Sequence, residues 1–136
     1  MSLGFIYLAG YIIFVGVASF LMKFVMKNLN VYQINLLMAI GMLIITLPAM
    51  YLAQKNFKFP SEGLALGAFA GLLMAAGSLL FVFSLTKLPV GLASAISTSY
   101  VVLVVILSWF FLKEPLNLLK IVGIALTVAG VAILSF

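Results

Sequence analysis

Few residues in this chain can do chemistry. Charge is carried by seven Lys, Glu62 and Glu114 alone, and there is no His, Cys, Asp or Arg. Catalytic triads, thiol nucleophiles, disulfides and Cys/His zinc sites are therefore excluded. What remains is hydroxyls, aromatic rings and a few amides. Tyr7, Tyr11, Val15 and Ser19 recur every fourth residue, so on a helix they share one face. Ser94, Ser97 and Thr98 share another, with Tyr100 about a turn on. Ser78, Asn35 and Thr46 add polar groups on other segments. Such a set can hydrogen-bond a neutral or zwitterionic solute, but it breaks no bond and calls for no cofactor or metal. A Ser or Thr hydroxyl in a membrane helix commonly bonds its own backbone instead. Tyr7 and Trp109 fit interfacial anchors equally well.

Two thirds of the residues are apolar and 7% are charged. A water-soluble domain needs roughly a quarter of its residues charged. This chain cannot cover itself in water, which excludes a soluble enzyme, and its hydropathy excludes a disordered chain. The net charge of +5 does not point to nucleic acid, because the lysines are scattered rather than gathered on one face. They mark the ends of membrane spans.

Charge-free stretches cover 1–22, 28–54, 63–86, 88–112 and 121–136. A helix crosses the hydrocarbon core in about 20 residues. The fifth stretch reaches that length if it begins near Leu116 and Lys120 snorkels back to the headgroups. The expectation is an all-α membrane protein whose single transmembrane domain has helices at about 3–22, 31–53, 64–86, 90–112 and 116–135. Long unbroken apolar runs exclude β-barrel strands. The first run has no basic segment ahead of it, so it reads as a retained span rather than a signal peptide. Pro89 and Pro115 suit the first turn of the helices they precede. Pro48 falls inside the second helix, where it makes either a hinge or a static kink. Glu114 suits an N-terminal helix cap better than catalysis, and Glu62 is similarly placed.

Small residues let membrane helices approach closely. Gly63, Gly67, Gly71 and Ala75 recur every fourth position, and Gly123 and Gly130 lie seven apart. These are expected packing positions, within the chain or between chains. Five spans put the termini on opposite sides, with Lys55, Lys58, Lys113 and Lys120 facing one side and Lys23, Lys27 and Lys87 the other. Lysine asymmetry sets orientation, and four against three is hardly a bias. Either Lys120 and local context choose one orientation, or the chain inserts both ways and pairs as an antiparallel homodimer. An odd helix number makes tandem copies inverted, the arrangement many transporters build around a midplane site. A lone unit reaches that arrangement by pairing with an inverted copy or a paired sister subunit.

Two stretches carry a family resemblance. Ile6-Tyr7-Leu8-Ala9-Gly10 through Phe20-Leu21-Met22-Lys23-Phe24 resembles the first helix of small multidrug resistance proteins. Leu88-Pro89-Val90-Gly91-Leu92-Ala93-Ser94-Ala95-Ile96 through Leu107-Ser108-Trp109-Phe110-Phe111 to Gly123 and Ala129-Gly130-Val131 resembles the last two helices of that branch and of the EamA type. The additional helix at 31–53 makes the chain similar to one five-helix EamA-type unit of the drug/metabolite transporter superfamily. The resemblance puts Val15 where the multidrug branch carries a membrane-embedded glutamate. A buried acid with a raised pKa can trade a proton for a cation, and Val15 cannot. It also puts Ser94 and Ser97 where that branch has aromatic contacts to substrate.

The resemblance implies movement of small, amino-acid-like metabolites through a cavity lined by Tyr11, Ser94 and Ser97, in a bacterial or archaeal inner membrane. It leaves two rivals standing, a flippase or flippase subunit for a lipid-linked sugar and a non-transporting assembly or regulatory protein.

Overall fold

In lipid, backbone N–H and C=O groups are satisfied by helices or closed barrels, and these long apolar runs take the helical solution. The computed structural model describes residues 3–53 and 61–134, and of Ser61 and Glu62 only the backbone. The described elements are helices throughout: α1 Leu3–Val25, α2 Val31–Ala53, α3 Ser61–Leu85, α4 Val90–Ser97, α5 Tyr100–Phe111 and α6 Leu118–Leu134. Among the described residues, four helical runs are long and apolar enough to cross a membrane, namely Leu3–Val25, Val31–Ala53, Gly63–Leu85 and Val90–Phe111. At 1.5 Å per residue, a run of 23 residues reaches about 34 Å. The break containing Lys55 and Lys58, and the expected cap at Glu62, lie outside the described residues or side chains.

Four expectations need correction. The fourth span is two helices, α4 and α5, joined through Thr98 and Ser99. The last helix starts at Leu118 rather than Leu116, because the Asn117 side chain accepts the Lys120 amide at 2.9 Å and fixes the N-terminus there. Pro115 consequently lies in the connection, outside the first turn, and Asn117 rather than Glu114 caps the helix. Lys120 does reach back, its ammonium donating to the Pro115 carbonyl at 3.2 Å.

The chain divides into two units, one up to Lys87 and one from Leu88. In the first, α2 opens with a reciprocal capping box. The Asn30 amide donates to Gln33 Oε1 and the Gln33 amide to Asn30 Oδ1, both at 2.9 Å. Leu29 packs beside Ile34 and completes a hydrophobic staple at this end. Val31, Ile34 and Val82 form the buried cluster where α2 meets α3, with Met22 and Met26 packed against it. Leu85 is fully buried as α3 ends. There the Lys23 ammonium donates to the Leu85 carbonyl at 2.7 Å, placing a cation where the α3 dipole is negative.

In the second unit α6 packs against both α4 and α5. Ala93 is its buried hydrophobic residue among those described. α5 ends through Lys113, whose φ of 53° is left-handed. That conformation lets the Glu114 N–H turn back to the Ser108 carbonyl at 3.4 Å.

Candidate functional site

The first unit holds six of the expected site residues. Because α1 runs unbroken, Tyr7, Tyr11, Val15 and Ser19 stay on one face. Tyr7 and Tyr11 are exposed and Ser19 is half-buried. Asn35 and Ser78 come together from α2 and α3. The Ser78 hydroxyl lies 2.8 Å from Asn35 Oδ1 and 2.8 Å from the Ala75 carbonyl, while Asn35 Nδ2 donates to the Val31 carbonyl at 3.1 Å. The amide is thus held in place by its own helix, and its oxygen is aimed at the neighbouring one. Interhelical polar links of this kind contribute on average about 0.6 kcal/mol in lipid. The pair acts first as glue, and the sequence named both members without showing that they meet.

The second unit holds Ser94, Ser97, Thr98 and Tyr100 around the break in the fourth span. The Ser97 hydroxyl donates to the Ser94 carbonyl at 2.8 Å and the Thr98 hydroxyl to the Ala95 carbonyl at 2.6 Å. The amides of Ser99, Val101 and Val102 each bond three residues back, to Ile96, Thr98 and Ser99, rather than four. This is a tight 3₁₀ turn inside a membrane span, a form frequent at functional hinges. Side-chain hydroxyls that compete for backbone carbonyls favour such a bend. The protons of Ser97 and Thr98 are spent on the backbone, and both side chains are exposed. Their oxygens present lone pairs, so this surface can accept hydrogen bonds from N–H or O–H groups. Tyr100 begins the next helix and is 61% exposed.

Tyr11 belongs to the first unit and Ser94 with Ser97 to the second. The structure assembles Asn35 with Ser78, and Ser94 with Ser97 and Thr98. The expected packing glycines divide in two. At Gly67, Gly71, Gly123 and Gly130 an added Cβ would meet nothing within 4 Å. Gly63 has a backbone reason for its identity, since its φ of 132° suits glycine alone.

A cleft of about 410 Å³ between α5 and α6 escaped sequence reasoning. Trp109, Glu114 and Lys120 line it together with valines of α5. Each of the three had been read singly, as anchor, cap and snorkel. The available signal was their joint placement on either side of Pro115.

The EamA-like transporter family model matches residues 2–136. The uncharacterized protein MJ1333.1 of Methanocaldococcus jannaschii is 28% identical over 124 residues, which are 90% of this chain and 89% of that one. No solved structure matches the chain. Its four membrane-length helices, its shorter fifth apolar segment and this end-to-end match agree, and the chain belongs to the EamA-like transporter family.

Proposed function

We propose that the chain is a half-size secondary transporter that moves small neutral or zwitterionic metabolites by alternating access. It works as an antiparallel dimer in a prokaryotic cytoplasmic membrane, with Tyr7, Tyr11, Val15 and Ser19 facing solute from α1. Ser94, Ser97, Thr98 and Tyr100 face it from the fourth span, and Asn35 with Ser78 sets the spacing of α2 and α3.

The observation that carries this reading is the polar 3₁₀ turn at Thr98–Ser99. Irregular backbone at membrane depth is tolerated where it is buried in protein or lines a water-filled cavity. The exposed oxygens there suit donor groups on the solute, such as the ammonium of an amino-acid-like metabolite. No described charge falls inside a span away from its ends, so an ionised substrate has no fixed counter-charge to meet. That favours solutes with no net charge.

Flux into proteoliposomes tests this. Purified protein should exchange labelled amino-acid-like solutes across the bilayer. Ser97→Leu together with Thr98→Val should raise the half-saturation concentration about tenfold, the loss of one to two solute hydrogen bonds. A broad panel of metabolites that stays put under every imposed gradient would remove the proposal. Orientation is checked separately, with C-terminal reporters that work only inside or only outside the cell. Comparable signal from both supports the antiparallel homodimer, and signal from one alone eliminates it in favour of a sister subunit.

A further inference from the structure

We propose that the cleft between α5 and α6 binds a phospholipid whose headgroup carries both a phosphate and a primary ammonium. Its volume of about 410 Å³ lies in the range of small-ligand sites. Its walls are Val101, Val104, Val105 and Ile124, with Gly123 leaving room between them. This trench suits an acyl chain. The Thr127 hydroxyl on its α6 side donates to the Gly123 carbonyl at 2.9 Å, so its proton is already committed.

The polar groups gather at one end, where α5 stops. Glu114 and Lys120 line this cleft. A neighbouring hollow of about 310 Å³ shares Trp109, Glu114 and Pro115 with it and adds Lys113. Glu114 is thus shared by two adjoining hollows, one lined also by Lys113 and the other by Lys120. Lys120 is held there by the Pro115 carbonyl, which uses one of its three N–H donors and leaves two. A carboxylate complements the lipid ammonium, and the lysines complement its phosphate. An anionic lipid without an amine leaves Glu114 facing like charge, and a quaternary amine has no N–H to donate. A second copy of the chain seated here would desolvate Glu114 and Lys120, an expensive step for charged groups. Trp109 sits at the same end, as expected of a ring at the headgroup level.

Trp109 is the one tryptophan of the chain, so its fluorescence reports this cleft without labelling. The full-length protein is placed in bilayers that mix phosphatidylcholine with phosphatidylethanolamine or phosphatidylglycerol, one lipid at a time carrying bromine on its acyl chains. Brominated phosphatidylethanolamine should quench Trp109 beyond its share of the bilayer, with a relative binding constant about three- to fivefold above phosphatidylcholine, as one partly exposed ion pair allows. Glu114→Gln should abolish that preference and leave phosphatidylglycerol no weaker. Lys120→Gln should weaken both. Because both side chains are exposed, helix content by circular dichroism should stay constant across the variants. Quenching that follows bulk composition for every lipid overturns the site. So does quenching below bulk for all of them, which would mean a second copy covers the tryptophan.

Discussion

The described helices up to Lys87 and those from Leu88 meet the same problem by different means. In the first unit two polar links join one element to another, Ser78 to Asn35 and Lys23 to the end of α3, while Thr46, Ser84 and Thr86 bond carbonyls three or four residues back. In the second, the side-chain bonds from Ser97 to Ser94, Thr98 to Ala95 and Thr127 to Gly123 stay local. The first unit buries Val31, Ile34, Val82 and Leu85, while the second buries Ala93. In lipid there is no hydrophobic force between helices, so packing and polar links must supply association. Where hydroxyls crowd onto successive carbonyls, as at Ser97 and Thr98, the segment gains a bend instead. Low burial and local bonding are also the marks of segments that open at little free-energy cost.

Paired truncations should give the largest contrast. Leu85→Ala opens a fully buried position and should cost about 2–4 kcal/mol, read as a lower thermal midpoint in detergent. Leu107→Ala, at 44% exposure in the second unit, should cost under about 1 kcal/mol. Equal losses would erase the distinction between the units. A smaller effect is expected at the interhelical link. Asn35→Leu should cost about 0.6–1.7 kcal/mol, and Ser78→Ala in that background should cost almost nothing more, a double-mutant cycle that isolates the pair. Additive losses would mean the two residues act independently. Smallest, and opposite in sign, is Lys113→Gly. Relief of a left-handed lysine should stabilise the second unit by about 0.5–1 kcal/mol. A destabilised variant would show that the Lys113 side chain outweighs its backbone strain.

The membrane helices were legible because the rule that places them is coarse, about 20 apolar residues between charges. α2 begins and ends where the spacing of Lys27, Asn30 and Lys55 put it. The break in the fourth span was not legible, since no Pro or Gly marks residues 94–102. A run of hydroxyls that competes for carbonyls leaves no distinct sequence mark. Asn117 was read past because a proline two residues earlier looked like the stronger start signal. The Asn30–Gln33 box was readable as an Asn followed three residues later by Gln, just before the second apolar run. At the site, the residue types pointed to hydrogen bonding with a neutral or zwitterionic solute. Which oxygens keep a free proton depends on backbone geometry that composition does not encode.

The bond from Lys23 to the end of α3 also turns α1 into a lever. Met22 and Lys23 near the end of α1, with Met26 just beyond it, touch the α2–α3 cluster and the end of α3, and the other end of α1 carries Tyr7 and Tyr11. From Lys23 back to Leu3 the arm is about 30 Å long at 1.5 Å per residue. A swing of about 10° around that clasp would therefore carry the Leu3 end some 5 Å, roughly one helical turn. The tyrosine rings would travel most of that distance while the buried cluster beside the pivot hardly stirred.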